Sequence, residues 1–309
     1  MTVTKIFYHT DFENHIPTLN NPECANRTKN IMGLIQKENF PNIAIEEPEK
    51  IKKELIYAAH DKDFVDETIN KFPENDEIYY LDQETPVSSG SKDATLRAAG
   101  AGIDAINSII DGKSKNAFCI VRPPGHHACI NKSMGFCVFN NVAIAAYYLI
   151  NQYDYSNIAI VDFDVHHGNG TQDIFYNNKN VTYYSTHQYP LYPGTGDVDE
   201  VGCGNIFNIP LVSGTSSVSY QKIFQEKIIE QLEIQQPDFL IISAGFDAHK
   251  DDPLANINLT NEDFVILTKK LKIIADKYCN GKILSMLEGG YDISALENAM
   301  IGHISELQE

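Results

Sequence analysis

Short hydrophobic runs alternate with longer amphipathic stretches over much of the chain. Runs rich in β-branched residues are typical of buried strands, and they lie at 118–121, 158–165, 181–187, 239–246 and 282–290. Hydrophobic positions at helical spacing predict helices, and these stretches lie at 140–151, 218–235, 261–278 and 294–307. Because strands that alternate with helices are typical of parallel sheets, the pattern predicts a parallel sheet covered by helices.

The first 115 residues predict a more helical region. A hydrophobic strand, KIFYH, opens it at 5–9, and candidate helices follow at 27–38, 49–59, 61–71 and 91–111. No repeat of fixed period, low-complexity tract or long Pro/Gly/Ser linker interrupts the sequence. We therefore expect a single α/β domain over residues 1–309.

The composition excludes several classes of protein. With 24 Lys and Arg against 42 Asp and Glu, the formal charge of −18 excludes a nucleic-acid binder that works through bulk positive charge. The longest apolar run, 142–150, has about half of the ~20 residues that cross a bilayer, and no signal-like pattern opens the sequence. The six cysteines include no C-x-x-C pair, so we expect reduced thiols. We expect a cytoplasmic protein without a membrane or nucleic acid as direct partner.

Residues suited to metal binding lie at the ends of two predicted strands. Asp164 and His166 are two positions apart, so on an extended segment both side chains point to the same side. Asp247 follows another predicted strand and could supply a third ligand. Two carboxylates and an imidazole suit a divalent transition ion, and three protein ligands leave a position open for water and substrate. Taken alone, the Asp164–His166 spacing more often reflects a turn cap beside a buried histidine.

Two further features add acid–base and hydrogen-bonding chemistry at strand ends. His126 and His127 follow Arg-Pro-Pro-Gly at 122–125, where the prolines and the glycine fix the backbone. A neutral histidine near a metal site could take a proton from water and later give it to a leaving amine. Tyr291 follows two glycines and could donate a hydrogen bond to a developing oxyanion. Each feature alone is more often structural, since adjacent histidines and half-buried tyrosines are common.

Asp162 and Asn169 are candidates for supporting roles. Asp162 is two residues before Asp164, so its carboxylate should lie on the same side of the strand, where it could hydrogen-bond a histidine or bind a monovalent cation. Asn169 lies in the sequence Gly-Asn-Gly and could orient a histidine ring. An asparagine between glycines is also an ordinary turn residue, and both interpretations can hold together.

In combination, these motifs resemble the zinc-dependent histone deacetylase superfamily. The matching segments are RPPGHHA (122–128), MGFCVFNNVAIAA (134–146), VDFDVHHGNGTQ (161–172), YPGTGD (192–197), SAGFDAHKDDPLA (243–255) and LEGGYD (287–292). Their order and spacing agree over nearly the whole chain, and they are similar to the class II and bacterial branch, which is related to acetylpolyamine amidohydrolases. NPECANR at 21–27 is similar to the N-terminal segment of the family, although Asn21 stands where a histidine is common.

The resemblance implies an arginase/deacetylase-like fold, in which helices cover both faces of a central, mostly parallel sheet of about eight strands. It also implies metal-assisted amide hydrolysis at one divalent ion, Zn²⁺ or alternatively Fe²⁺. By motif, the resemblance implies that Asp164, His166 and Asp247 are metal ligands. It implies that His127 is the general base and acid and that His126 is its electrostatic partner. Tyr291 would be the oxyanion donor.

The resemblance further implies supporting groups and a substrate tunnel. Asp162 would orient His126, and Asn169 would support His127. A structural potassium ion would be held by oxygen atoms of Asp162, of Ser185 and of the backbone near Thr186. The walls of a narrow tunnel that grips the four methylenes of an acetyl-lysine-like chain would include Gly135, Phe136, Tyr192 and Leu254.

The implied function is removal of acetyl groups from the ε-amine of lysine in proteins or peptides. The first alternative is an acetylated polyamine as substrate, which is disfavoured because Leu254 stands where eukaryotic polyamine-preferring relatives carry a glutamate. An arginase-like ureohydrolase with two metal ions is less expected, because Gly168 and His249 replace aspartates of its metal motifs. A catalytically silent binding module is least expected, because every required position is filled. The sequence predicts no oligomeric state.

Overall fold

The structure of the chain, a computed structural model, describes residues 3–18 and 20–309. The strands in these residues are β1 Thr4–Phe7, β2 Ile43–Glu46, β3 Tyr79–Tyr80, β4 Pro86–Val87, β5 Asn116–Cys119, β6 Ile158–Asp162, β7 Val181–Gln188, β8 Ile206–Leu211, β9 Phe239–Ala244 and β10 Ile283–Leu287. Eight of them form one parallel sheet in the order β2-β1-β5-β10-β9-β6-β7-β8, and β3 pairs with β4 in an antiparallel hairpin. The predicted parallel sheet of about eight strands is confirmed.

Helices surround this sheet. In the described residues they are α1 Asn26–Lys29, α2 Ile31–Glu38, α3 Lys53–Ile56, α4 Lys62–Asn70, α5 Ser91–Ile110, α6 Asn141–Tyr153, α7 Asn169–Phe175, α8 Ser217–Phe224, α9 Glu230–Gln235, α10 Asn261–Tyr278 and α11 Ile293–Gln308. A 3₁₀ turn covers Thr10–Asn14, and a π-helical turn, Gln225–Ile229, joins α8 to α9. Within residues 3–18 and 20–309, no helix is both long and apolar enough to span a membrane.

The central strands are the ones that the hydrophobic pattern predicts best. Every residue of β5, β6, β9 and β10 is buried, as expected where helices cover both faces of a parallel sheet. Three predicted strands are too long, because the chain leaves the sheet earlier to form the loops of the site. The segment 158–165 ends as a strand at Asp162, 239–246 at Ala244, and 282–290 at Leu287.

Both edge strands, β2 and β8, escape prediction from the hydrophobic pattern. An edge strand has one neighbour and a partly solvated surface, so it needs no continuous apolar run. Ile45 and Glu46 of β2 are exposed, and four of the six residues of β8 are only half-buried.

The prediction of a helix at 49–59 is wrong over most of its length. The amide of Ile51 donates to the Leu96 carbonyl at 2.9 Å, so only Lys53–Ile56 is helical there.

The sheet order brings the conspicuous motifs together. β5, β10, β9 and β6 are consecutive at the centre of the sheet. The loops after these strands contain residues 122–128, 288–292, 245–254 and 163–168. Because all four strands are parallel, their carboxyl ends lie on one edge, where ligands of open α/β sheets bind.

Candidate active site

Three buried side chains that could hold a metal ion meet beyond β6 and β9. Ligand atoms of Asp164, His166 and Asp247 all lie within 4.8 Å of one another. Nδ1 of His166 lies 3.0 Å from Oδ2 of Asp247 and 3.2 Å from Oδ1 of Asp164. One imidazole nitrogen and two carboxylates form a donor set suited to a divalent transition ion.

The two buried carboxylates of this cluster favour binding of a cation. Burial, together with the neighbouring Asp164 carboxylate, raises the pKa of Asp247 to about 7. Burial by itself lowers the pKa of His166, but its hydrogen bonds with the two carboxylates outweigh that effect and raise the pKa to about 10. Two adjacent buried carboxylates are stable as anions only beside a cation. A divalent ion supplies that charge, so the residues present fit a metal ion.

Backbone amides fix the two carboxylates. Oδ1 of Asp247 accepts a hydrogen bond from the amide of Val165 at 2.8 Å, and Oδ2 of Asp164 accepts one from the amide of Gly289 at 2.7 Å. A side chain at position 289 would collide with both carboxylates, so the close approach requires glycine. The turn after β10 therefore fixes carboxylates that come from the ends of β6 and β9.

We call Asp164, His166 and Asp247 the metal cluster. His126 and His127 lie beside it with their ring centroids 4.0 Å apart. Nδ1 of His126 lies 3.0 Å from Oδ2 of Asp162, and Nδ1 of His127 lies 2.8 Å from Oδ1 of Asn169. Because an amide oxygen only accepts, Nδ1 of His127 carries the proton and its Nε2 keeps a free lone pair. These contacts match the pairing that the motifs predict for Asp162 and Asn169.

Opposite pKa shifts separate the two histidines. Burial lowers the pKa of His126, but Asp164 and Asp162 outweigh that effect and raise it to about 10. Burial and the neighbouring charges of His126 and His166 hold the pKa of His127 well below its usual value. A charged and a neutral imidazole side by side are typical of an acid–base site.

Tyr291 follows the two glycines after β10. Its amide donates to Oδ2 of Asp252 at 2.7 Å, and the guanidinium carbon of Arg27 lies 5.1 Å from its ring centroid. Nε of Arg27 also donates to the carbonyl of Gly290 at 2.7 Å. Burial raises the pKa of the Tyr291 phenol well above its usual value, so the hydroxyl stays protonated and can donate a hydrogen bond.

A narrow cavity of about 240 Å³ joins these groups. Its lining consists of Pro22, Glu84, His127, Gly135, Phe136, His166, Leu191, Tyr192, Leu254 and Tyr291. The four residues predicted as tunnel walls are thus among its lining. We call the metal cluster with His127 and Tyr291 the floor, and we call the turn 81–85, which carries the exposed Glu84, the mouth.

The residues predicted to hold potassium have other partners in the structure. Ser185 pairs in register with Asp162 on the neighbouring strand, and its hydroxyl lies 2.9 Å from Nδ1 of His187. The hydroxyl of Thr186 lies 2.6 Å from the hydroxyl of Tyr220, on the opposite side of β7. The potassium site therefore stays a prediction.

Several charged residues around the site were missed at the level of sequence. Oε2 of Glu288 accepts hydrogen bonds from the amides of Gly125 at 2.7 Å and His126 at 3.1 Å, so it holds the histidine loop. Glu23 bridges the guanidinium groups of Arg27 and Arg122, and all three side chains are buried. Their sequence signal is weak, because most of these contacts join residues from different segments, and only Glu23 and Arg27 are near each other in the sequence, four positions apart. Only their position inside or beside the matching motifs could have singled them out.

Comparisons with known proteins agree with this geometry. Residues 21–307 match the family described as histone deacetylase domain. The chain is 36% identical to a probable deacetylase of Archaeoglobus fulgidus, over 99% of this chain and 86% of that protein. It is 40% identical to type-2 histone deacetylase 2 of Dictyostelium discoideum, over 92% of this chain but 17% of that longer protein. The crystal structure of the HDA15 HD domain is similar with a TM-score of 0.93 and 33% identity, over 99% of this chain and 88% of that one.

Proposed function

The chain belongs to the histone deacetylase family, and we propose that it is a metal-dependent deacetylase that removes acetyl groups from the ε-amine of lysine in proteins or peptides. The proposal rests on the arrangement of three side chains around one cavity. His166 of the metal cluster, the neutral His127 and the protonated Tyr291 line the same narrow cavity. Metal, base and hydrogen-bond donor are the groups that amide hydrolysis requires.

Each residue of the floor has a distinct task. A divalent ion held by Asp164, His166 and Asp247 would act as a Lewis acid toward the acyl carbonyl and strengthen water as a nucleophile at neutral pH. His127 takes a proton from the attacking water at its free Nε2 and later gives a proton to the leaving amine. The charged His126 favours the developing negative charge, and the Tyr291 hydroxyl donates a hydrogen bond to the oxyanion. We propose Zn²⁺ as the ion and Fe²⁺ as the alternative.

Aromatic rings support an alkyl chain as the occupant of the cavity. The ring centroids of Phe136 and Tyr291 are 6.0 Å apart, and those of Tyr192 and His127 are 5.2 Å apart. A lysine side chain of four methylenes between Phe136 and Tyr192 would bring its terminal amide to the floor. Charged groups at that depth would be desolvated, so the apolar walls favour an acylated amine over a free one.

We also propose three supporting assignments. Asp162, Ser185 and backbone carbonyls near Thr186 hold a structural potassium ion, which the register of Asp162 with Ser185 supports. Residues 1–309 form one catalytic domain, which the continuous central sheet supports. We place the protein in the cytoplasm, where it would act on acetylated lysine in peptides or proteins.

An acetylated polyamine is the second candidate substrate. Glu84 lines the cavity and is exposed, and Asp82 lies on the same turn. A carboxylate at the mouth attracts a second amine of a polyamine, but it also attracts a cationic residue beside an acetyl-lysine. Leu254, which lines the cavity without charge, favours the peptide.

Turnover by the Zn²⁺-loaded protein on an acetyl-lysine peptide, acetylputrescine and acetylspermidine tests the proposal. We expect kcat/KM for the peptide to exceed both others by more than tenfold, about 1.4 kcal/mol. The reverse preference assigns the chain to polyamine hydrolysis, and absence of turnover on all three overturns the deacetylase.

Tyr291→Phe tests the proposed role of the Tyr291 hydroxyl, and Tyr184→Phe is its matched control. Because Tyr291→Phe loses the oxyanion donor, its kcat should fall by about 10² to 10³. Tyr184→Phe removes a hydroxyl from another buried tyrosine, whose partner is Gln235 at 2.9 Å, and should leave kcat unchanged. Near-normal turnover by Tyr291→Phe would refute the role of the phenol.

A further inference from the structure

One buried carboxylate outside the metal cluster contacts the segments of Tyr291 and Leu254 together. Asp252 is 7% exposed. Its Oδ2 accepts a hydrogen bond from the amide of Tyr291 at 2.7 Å and a longer one from Asp292 at 3.4 Å. Its Oδ1 accepts a hydrogen bond from the amide of Leu254 at 3.0 Å. Tyr291 and Leu254 both line the cavity, so one side chain ties the floor to a wall.

Backbone amides are the partners of this carboxylate. In the part of the chain that the structure describes, no lysine, arginine or histidine nitrogen lies within 4.0 Å of the Asp252 oxygens. Burial of a carboxylate without a cation is costly. Backbone amides offset that cost only as long as both loops stay in place around it. Such a group is expected where function requires a fixed backbone.

The backbone at Tyr291 needs an anchor. Gly289 and Gly290 precede it, and Gly290 has a φ of 126°, a conformation open mainly to glycine. Arg27 holds this turn from one side through the Gly290 carbonyl, and Asp252 holds it one residue later through the Tyr291 amide. Asp252 also lies five residues after Asp247, so a single short segment carries a metal-binding carboxylate, the anchor and a wall residue.

We propose that Asp252 is a positioning residue, which holds the Tyr291 backbone so that the phenol hydroxyl stays directed at the scissile carbonyl. The inference rests on the proposed function, because it needs Tyr291 as oxyanion donor. A displacement of about 1 Å in a catalytic group lowers rates by about 10². Release of the Tyr291 amide should therefore lower kcat strongly while KM changes far less.

Asp252→Asn is the variant of choice, because it keeps the shape but replaces one acceptor oxygen with a donor. We expect kcat to fall by about 10- to 100-fold with an unchanged metal content. Asp263→Asn is the matched control, since Asp263 is also buried and accepts a hydrogen bond from the amide of Thr260 at 2.8 Å at the start of α10. The control should lower the thermal midpoint but not kcat. If Asp252→Asn does not fold, Asp252→Ser, which keeps one acceptor, replaces it.

A double-mutant cycle separates positioning from general structural damage. If Asp252 acts through Tyr291, Asp252→Asn should have little further effect on kcat in the Tyr291→Phe background. An equal fold-loss in both backgrounds, or an unchanged kcat in the single variant, overturns the inference. Normal kcat in Tyr291→Phe itself would instead refute the oxyanion donor of the proposed function, and the two failures are therefore distinct.

Discussion

At the floor of the cavity, Asp164 and Asp247 are completely buried and backbone amides hold their oxygens, whereas at the mouth Glu84 lies exposed on the turn between β3 and β4. The floor comes from the ends of adjacent central strands of the sheet. The mouth comes from a hairpin of two-residue strands outside it. From this difference we expect the sheet to fix the chemistry of the proposed reaction and the surface loops to select its substrate. Substitutions should accordingly have large effects on turnover at the floor and small, substrate-dependent effects at the mouth.

The largest effect is expected from Asp247→Ala, which removes a carboxylate of the metal cluster. A metal ion stabilises the transition state by several kcal/mol, so turnover should fall by about 10³-fold or more. Metal analysis should find far less than one ion per chain. Asp263→Ala, which removes a buried carboxylate at the start of α10, should keep both metal and turnover. A fully loaded Asp247→Ala protein with more than a tenth of normal turnover would contradict the ligand assignment.

A smaller loss is expected from Gly289→Ala, which leaves every floor side chain in place. The added methyl would collide with the carboxylates of Asp164 and Asp247 and displace them from the metal. Metal affinity should fall by about 10- to 100-fold, as is typical when the support of a ligand is lost. Competition with a chelator measures it. Gly33→Ala, where the new methyl meets open space on α2, should bind metal normally.

The smallest effect is expected from Glu84→Gln at the mouth. An exposed carboxylate contributes at most ~1 kcal/mol to binding a cation, so KM for a cationic substrate should rise by about fivefold or less. KM for a neutral acetyl-lysine peptide and kcat for both substrates should not change. The effect should vanish at high salt. A large drop in kcat on the neutral peptide would show that the mouth takes part in the chemistry and would erase the contrast with the floor.

The sequence predicts the centre of the molecule better than its periphery. β6, β9 and β10 are buried on both faces, so their apolar runs are continuous and recognisable. β2 and β8 are edge strands whose partly solvated residues give no such run, and both were missed. Burial on two faces is therefore the physical origin of the successful strand predictions.

The site residues also fall into two groups, those that local sequence patterns predict and those that they do not. Asp164 and His166 are two positions apart, and His126 adjoins His127, so local spacing was enough to single them out. Asp252, Glu288 and Arg27 act through contacts with distant segments, such as the one from Arg27 to the carbonyl of Gly290, 263 residues away. No local pattern reports such a contact, and the roles of these residues emerge only from the folded chain.

The place of β10 in the sheet has a consequence for how the protein is made. β10 pairs with β5 on one side and with β9 on the other, although it follows both of them in the sequence. Without β10, this strand order would leave two separate half-sheets, β2-β1-β5 and β9-β6-β7-β8. Ile283–Leu287 lies between the halves, so it links the half that leads to His126 with the half that contains Asp162. We therefore expect a chain that ends before β10 to lack the assembled site and to be inactive.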